Sequence, residues 1–240
     1  SLKANNNKIS YIGRSPDASP ATGYARPHVR LVLAVSLDGR LAPPQGGAAQ
    51  LGGPGDRRVL EEALVWADAC LIGAGTLRAH RCTALIRDQD LLEQRLSAGR
   101  PAQPAAVVVS RGHAFPIEWR FFQQPLERWL LAPSAVERGF DRWIPLGQSW
   151  DKRLLTLSSL GVQHLVLLGG SRLAADLLQE DAVEELQLTL VPSLLGGVHS
   201  WLPQDAHALP GSLGSPRSWR LDEVRPLPGD ELLTRYRRIR

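Results

Sequence analysis

Cysteine is scarce in this chain, which has only Cys70 and Cys82 among its 240 residues. Two cysteines cannot form the disulfide framework of a small secreted protein, and their spacing is not that of a zinc site. No spacing of histidine, cysteine or aspartate predicts metal ligands, and no nucleophile stands near a base in a recognisable pattern. Cys70 lies in an apolar run, so we interpret it as a core residue in a reducing compartment. We therefore expect no metal ion and no disulfide framework.

Long apolar runs are also absent. No stretch approaches the roughly 20 residues that a membrane-spanning helix needs, and the first residues hold no signal-peptide core. The sequence therefore predicts a cytoplasmic protein without a membrane partner. Residues 1–25 are rich in Asn, Ser, Pro and Gly and hold almost nothing to bury. We expect them to form a flexible tail before a single domain over residues 26–240.

The charge is basic but dispersed. The formal net charge is +4, from 28 Lys and Arg against 24 Asp and Glu. Arginines cluster at the C-terminal Arg235–Arg240, whereas elsewhere basic residues are scattered among acidic ones. A phosphorylated small ligand explains the basic excess as well as nucleic acid does. We expect such a ligand and no nucleic-acid partner.

Apolar runs alternate with helical patterns along the chain. Strands are predicted over Val29–Val35, Ala69–Ile72, Ala105–Val109, Arg128–Ala132, Gln163–Leu168 and Val183–Val191. Helices are predicted over Arg57–Ala67 with Asp56 as N-cap, from Gly75 onward, and over Asp88–Ala98, Gln148–Leu160 and Arg172–Gln179. A C-terminal hairpin is predicted from Trp219–Val224 and Glu231–Ile239. The pattern indicates an α/β fold, with a mostly parallel twisted sheet, flanking helices and an antiparallel C-terminal hairpin.

Two of the predicted strands end in glycine-containing junctions, where α/β proteins usually place ligands. Ser36-Leu37-Asp38-Gly39 follows the first strand, and Gly73-Ala74-Gly75-Thr76 ends the second. The second junction resembles the dinucleotide fingerprint G-x-G-x-x-G, but Arg78 stands where the third glycine is needed. It predicts either an anion site at a helix start, to which Thr76 adds a hydroxyl, or only a tight turn.

Two later junctions carry positive charge. In Leu167–Leu173 two glycines let a ligand approach the backbone, Ser171 caps the following helix and Arg172 adds a cation. This pattern predicts a pyrophosphate site, with a purely structural turn as the alternative. Ser110-Arg111 pairs a hydroxyl with a guanidinium directly after a strand. That pair suits an adenosine 2′-phosphate and favours NADPH over NADH, unless Arg111 is an ordinary surface arginine.

Three sequence blocks occur in an order typical of one enzyme family. They are RPHVRLVLAVSLDGRLA, DACLIGAGTLRA and LVLLGGSRLAADLLQEDAVEELQLTLVPSLLGG. Together they resemble the reductase domain of bacterial riboflavin biosynthesis, over about Arg26 to Gly197. The resemblance implies a dihydrofolate reductase-like fold and an NADPH-dependent reductase that is homodimeric and needs no metal. Its reaction would convert 5-amino-6-(5-phosphoribosylamino)uracil to the ribitylamino product.

The resemblance carries the family's cofactor positions over residue by residue. The backbone of Ala34 would hold the nicotinamide carboxamide, with Ser36 and Asp38 close by as the catalytic candidates. Asp38 would organise the site. The other cofactor-binding candidates are Gly75, Thr76, Ser110, Arg111, Gly169, Gly170, Ser171, Arg172 and Leu173.

The substrate positions depart from the family pattern. The family's acidic residue before the glycine pair is Leu168 here, its first-helix arginine falls near Leu64, and its Asp-Asp-Pro is replaced by His80-Arg81-Cys82. The candidates for binding a phosphorylated pyrimidine are Arg40, His80, Arg81 and Arg87. Two alternatives stay open: a related NADPH-dependent reductase of another heterocyclic or carbonyl substrate, and a non-catalytic nucleotide-binding homologue.

Overall fold

The computed structural model describes residues 25–47, 51–112, 114–135 and 138–240. The predicted N-terminal tail therefore lies outside the described residues, apart from Ala25. In chain order the elements are β1 His28–Ser36, α1 Pro54–Trp66, β2 Ala69–Gly73, α2 Ala74–His80, α3 Gln89–Ser97, β3 Ala105–Val109, β4 Arg128–Ala132, β5 Arg142–Pro145, α4 Trp150–Ser159, β6 His164–Gly169, α5 Ser171–Gln179, β7 Glu185–Val191, β8 Trp219–Leu227 and β9 Glu231–Arg238. None of the described helices is long and apolar enough to cross a membrane.

The predicted strands and helices are present, and the corrections concern helix starts and one strand. Helix α1 begins at Pro54, so the N-cap prediction for Asp56 is wrong. Proline fits the first helical position because its missing N–H would have no partner within the helix. Ser171 is the first residue of α5 and Gly170 is its N-cap, so the predicted serine cap is wrong as well. Strand β5 was not predicted.

The Cα positions divide the described chain into two compact units. The first contains residues 25–27 and 61–166, and the second contains residues 28–60 and 167–240. Strands of the first unit hydrogen-bond in the order β5-β4-β3-β2-β6, and those of the second in the order β6-β1-β7-β9-β8. Strand β6 contributes its first residues to one unit and its last residues to the other. The single domain predicted over residues 26–240 stays a prediction.

In the first unit, the parallel strands β2, β3 and β4 are buried along most of their length. β2 pairs with β3, β3 with β4 and β4 with β5, all in parallel. Helix α3 places Arg95, which is 1% exposed, inside this unit. Its guanidinium donates to the carbonyl oxygens of Pro101 at 2.7 Å and of Ala67 at 2.8 Å. The arginine therefore satisfies one backbone acceptor after the end of α1 and another after the end of α3, and it ties the two segments together.

In the second unit, β7 lies between β1 and β9. It pairs with β1 in parallel and with β9 antiparallel, and β9 pairs with β8 antiparallel. The mostly parallel arrangement with an antiparallel C-terminal hairpin is therefore confirmed. The side of β7 that faces α1 is polar, since Gln187 Nε2 donates to the carbonyl oxygen of Val59 at 3.3 Å. The other side of β7 carries leucines that remain partly exposed.

A buried ion pair joins the starts of β1 and β7. Arg30 Nε donates to Glu185 Oε2 at 2.5 Å, and the two residues are 6% and 7% exposed. His28 Nε2 lies 3.5 Å from the other carboxylate oxygen. Burial acts to raise the pKa of Glu185, but the bonds and charges of His28 and Arg30 outweigh it and lower the pKa to about 2. Glu185 is therefore ionised throughout the physiological range.

Candidate functional site

The turn after β1 forms a closed set of hydrogen bonds. Ser36, which is 1% exposed, donates its hydroxyl to Asp38 Oδ1. The same hydroxyl oxygen accepts from the backbone N–H of Arg40 at 2.9 Å. Gly39 has φ +76°, a left-handed conformation that favours glycine at this position of the turn. The structure thus brings together the Ser36, Asp38 and Arg40 that the sequence analysis selected.

The Asp38 carboxylate fastens this turn to the loop that follows β7. The backbone N–H of Leu195 donates to Oδ1 at 3.1 Å, and that of Gly196 donates to Oδ2 at 2.7 Å. The Ser36 hydroxyl, then the Gly196 and Leu195 amides, lower the pKa of Asp38 to about 2. At neutral pH the carboxylate is charged and accepts hydrogen bonds, so it holds the loop rather than supplying a proton. The organising role predicted for Asp38 in the site stays a prediction.

Arg40 retains a donor that no described group satisfies. Its Nη1 donates to the backbone carbonyl of Asp38 at 3.3 Å. Among the described residues, no hydrogen-bond partner is found for its buried Nε. An unsatisfied buried N–H costs free energy, which an anionic ligand reaching it would recover.

The glycine pair lies where β6 passes into α5. Gly169 has φ +115°, and the peptide bond between Gly169 and Gly170 is cis. A Cβ atom on Gly169 would lie 4.0 Å from Leu33 Cδ2, which places the end of β6 beside β1 and next to Ala34. Gly170 caps α5 without a side-chain hydrogen bond. This helix start is therefore free of the side-chain cap that would compete with an anion for its N–H groups.

The other two candidates on α5 differ in the exposure of their side chains. Leu173 is 7% exposed, so its side chain faces the core and any ligand contact would use its backbone. Arg172 is exposed, and its Nη2 lies 2.6 Å from Asp205 Oδ2. Both side chains of this pair are 69% exposed, which makes the pair a weak one that a ligand phosphate can displace.

In the first unit, the cofactor candidates follow β2 and β3. Gly75 and Thr76 lie in the first turn of α2, and a Cβ on Gly75 would meet no atom within 4 Å. Ser110, directly after β3, is 3% exposed, and its hydroxyl oxygen accepts from the backbone N–H of Gly112 at 3.4 Å. Arg111 is exposed. Open space surrounds Gly75, whereas Ser110 is buried.

The substrate candidates of the first unit lie on and after α2. His80 is the exposed last residue of that helix. Arg81 follows it in the left-handed conformation with φ +57°, and its guanidinium carbon lies 6.0 Å from the ring centroid of Trp119. Arg87 is also exposed. The structure keeps His80 and Arg81 adjacent and leaves all three side chains accessible.

Three buried polar side chains fix the irregular segment that carries Arg87. Glu61 accepts from the backbone N–H groups of Arg87 and of Asp88, the latter at 3.0 Å. Gln103 exchanges two hydrogen bonds of 2.8 Å with the backbone of Ile86. Gln124 bonds the backbone of Thr83 in the same way, at 2.9 and 2.8 Å. Sequence reasoning missed these groups, since isolated polar residues give no periodic signal.

Likeness to solved structures shows a dihydrofolate reductase-like fold. Dihydrofolate reductase from Enterococcus faecalis, complexed with NADP(H), matches 89% of this chain and 97% of its own, with a TM-score of 0.54 and 12% identity. A pyrimidine reductase-like protein from Corynebacterium diphtheriae matches 98% of this chain and 99% of its own, with a TM-score of 0.71 and 19% identity. At these identities the likeness is one of fold.

The chain belongs to the RibD C-terminal domain family, whose model matches residues 27–230. It is 25% identical over 183 residues to the 2,5-diamino-6-ribosylamino-4(3H)-pyrimidinone 5′-phosphate reductase of Archaeoglobus fulgidus, covering 72% of this chain and 83% of that protein. It is 28% identical over 187 residues to the riboflavin biosynthesis protein RibD of Escherichia coli, covering 73% of this chain. The match spans 50% of that relative. The predicted family is confirmed.

Proposed function

We propose that this chain is an NADPH-dependent reductase of riboflavin biosynthesis. Its substrate would be a phosphorylated ribosylaminopyrimidine, in the first instance 5-amino-6-(5-phosphoribosylamino)uracil. Family membership over residues 27–230 supports the reductase class. The observation that carries the proposal is the start of α5 at Gly170, which has no side-chain cap and follows a strand end beside Leu33.

The second unit fits the pyrophosphate and nicotinamide parts of such a cofactor. Gly170 caps α5 without a side-chain hydrogen bond, and the positive end of the helix dipole favours an anion there. Arg172 adds a cation that is only loosely held by Asp205. Ala34 is half-buried on β1, directly after the leucine that Gly169 approaches. Its backbone would orient the nicotinamide, and the bound cofactor would supply the hydride.

The proposed roles of the other candidates rest on family membership. We propose that the cofactor is bound by Gly75, Thr76, Ser110 and Arg111. We propose that the phosphorylated substrate is bound by Arg40, His80, Arg81 and Arg87. The unsatisfied Nε of Arg40 supports a role with an anion. Asp38, ionised and fully engaged, would position the site through its loop. The proton would then come from water or from another group.

A second candidate function is a reductase of the same family with a different substrate. It is favoured by Leu168, which is half-buried in β6 where the family has a carboxylate. A site built around a carboxylate and one built around a leucine discriminate between substrates by orders of magnitude. For either substrate we propose a homodimeric enzyme of the cytoplasm, where a biosynthetic reductase finds its NADPH.

In the decisive experiment, purified protein is mixed with the phosphoribosylaminopyrimidine and NADPH, and the oxidation of NADPH is measured. Turnover with NADPH is expected, because the family and the α5 start both favour that reaction. NADPH binding without turnover would favour the second candidate function, tested next with other heterocyclic and carbonyl substrates. Absence of NADPH binding, measured by quenching of protein fluorescence, would overturn the proposal.

Replacement of Arg111 by alanine is expected to weaken NADPH binding about tenfold and to leave NADH binding nearly unchanged. The reason is that only NADPH carries the 2′-phosphate that a guanidinium would grip. Fluorescence titration gives the dissociation constants for both cofactors, and their ratio measures the preference for NADPH over NADH. The matched control is Arg120→Ala, another exposed arginine of the same unit. Equal losses for the two cofactors would remove Arg111 from this role.

A further inference from the structure

The first turn of α1 places the Asp56 carboxyl against strand β7. Asp56 is half-buried, and it accepts a hydrogen bond from the hydroxyl of Thr189, a residue that is 1% exposed. One turn further along α1, the carbonyl of Val59 accepts from Gln187 on the same side of β7. Helix α1 therefore begins at the carboxyl end of β7 and runs along that side of the strand.

The carboxyl end of β7 lies beside the predicted nicotinamide position. Strands β1 and β7 are parallel, and their register places Thr189 level with Ala34. Residues that are level on neighbouring strands point to the same side of a sheet, about 4.8 Å apart. Thr189 and Ala34 therefore share the side that α1 covers, and Ala34 is only half-buried there. The Asp56 carboxyl is bound to the immediate neighbour of Ala34, at the end of the sheet where the proposed reaction occurs.

Asp56 does not cap the helix in which it lies. An acidic side chain in a first helical turn commonly reaches back to a free backbone N–H. Here the N–H of Gly53 donates to the two carboxylate oxygens of Glu231, at 3.2 and 3.0 Å. A Cβ atom on Gly52 would collide with Asp56 Oδ2, so only glycine leaves room for this oxygen. The loop before α1 is therefore shaped around the Asp56 carboxyl.

A second carboxylate stands next to Asp56. Glu231 is 6% exposed and is held on Gly53, the residue after the one that Asp56 contacts. Burial raises the pKa of Asp56, the Thr189 hydroxyl acts to lower it, and the negative charge of Glu231 raises it again. Among the described residues, Glu231 is the charged group whose field reaches this carboxyl. Unequal surroundings for two neighbouring carboxyls favour the protonated form of one of them.

We propose that Asp56 is the proton donor of the reduction, a role that rests on the proposed function. In the open-chain form of the substrate, the carbon of a C=N bond accepts hydride, which the bound cofactor supplies. The electron pair of that bond moves to nitrogen, which takes the proton from the Asp56 carboxyl. The carbon is reduced, NADPH is oxidised to NADP⁺, and the Asp56 carboxylate regains a proton from water. Thr189 and Glu231 are positioning residues that act through Asp56.

Replacement of Asp56 by asparagine is expected to lower kcat at neutral pH at least about 100-fold, because an amide cannot donate the proton. Its amide oxygen still accepts from Thr189, so the Tm and the dissociation constant for NADPH should match the wild type. The matched control is Asp230→Asn, an exposed position beside Glu231 with φ +59°, which asparagine also adopts. The control should keep the wild-type kcat. A wild-type kcat in the Asp56→Asn protein would overturn the proposal.

The pH profile distinguishes a proton donor from a residue that only maintains the fold. A donor must be protonated, so kcat is expected to fall as the pH rises through the pKa of Asp56. Glu231→Gln removes the charge that raises this pKa, so the fall should begin at a lower pH. Thr189→Val removes the hydrogen bond that lowers it, so the fall should begin at a higher pH. Shifts in the same direction, or no shift in either variant, would contradict the assignment.

The ionisation of Asp56 is also measured without turnover, by nuclear magnetic resonance of protein with carbon-13-labelled aspartate carboxyls. The resonance that is lost in Asp56→Asn identifies Asp56, and it is expected to titrate above the ordinary pKa of 3.8. Titration at or below that value in an enzyme that oxidises NADPH would overturn the donor role alone. A wild type that oxidises no NADPH would overturn the proposed function and the donor role with it, even with Asp56 titrating as expected.

Discussion

Replacing Gly170 with valine is expected to raise the dissociation constant for NADPH at least about 100-fold while leaving the protein folded. Gly170 is the N-cap of α5, and no side chain competes for the helix N–H groups there. Its φ is −83°, an extended conformation that valine adopts without strain. The loss would therefore come from a branched side chain standing where the pyrophosphate approaches the backbone.

Fluorescence titration with NADPH measures the effect, and the Tm reports whether the fold is intact. The matched control is Gly211→Val, at an exposed glycine where an added Cβ meets nothing within 4 Å. The control should bind NADPH like the wild type. Wild-type affinity in the Gly170→Val protein would remove the start of α5 from the cofactor site and with it the observation that carries the proposed function.

Loss of the Glu185 carboxylate is expected to be the most destabilising single change among those considered. Glu185→Gln leaves the Arg30 guanidinium, 6% exposed, without the charge it hydrogen-bonds. Breaking a buried ion pair in this way costs about 3 kcal/mol, or roughly 10 °C in Tm for a protein of this size. Urea denaturation measures the free energy of unfolding, and thermal unfolding measures Tm.

Two controls separate burial from charge pairing in that experiment. Asp205→Asn breaks an equally short but 69% exposed pair with Arg172, and its Tm should match the wild type. Arg30→Met combined with Glu185→Leu removes both charges of the pair and should be more stable than Glu185→Gln, since it does not leave one charge of the pair without the other. A double variant less stable than Glu185→Gln would show that the ion pair contributes more to stability than the free energy lost by burying its two charges.

The contribution of the Arg30–Glu185 pair to stability depends on pH. The pKa of Glu185 is lowered from 4.5 to about 2 on folding. A lowered carboxylate pKa stabilises the folded state fully above pH 4.5, and this contribution is lost as the pH falls through about 2. The stability gap between wild type and Glu185→Gln is therefore expected to stay constant above pH 4.5 and to shrink below it.

Strand β7 shows which features of this fold the sequence predicts and which it does not. The run Val183–Val191 predicted a strand, and β7 is that strand. Its alternation, however, gives no information about which side is covered. The hydrophobic effect alone would bury the leucines, yet the glutamine and threonine side faces α1 and is the buried one. What covers each side depends on the register with β1 and β9, which arises from long-range packing.

The sequence likewise predicts only part of the candidate site. Ser36 and Asp38 lie together because Ser36 ends β1 and Asp38 stands two residues later. Their partners Leu195 and Gly196 contribute backbone N–H groups, which every residue except proline carries, so the side-chain pattern could not select them. Both capping predictions, at Asp56 and Ser171, were wrong because α1 begins at Pro54 and the N-cap of α5 is Gly170. The roles assigned to the individual site residues stay predictions.

The bond between Asp38 and Gly196 joins positions 158 residues apart. During synthesis, the turn after β1 leaves the ribosome long before its carboxylate has the amide it needs. Contacts between distant positions form late because a long loop must first be closed. A nascent chain that has not reached Gly196 cannot form this hydrogen bond. Formation of the turn after β1 in its final arrangement is therefore a late event in the folding of each new chain.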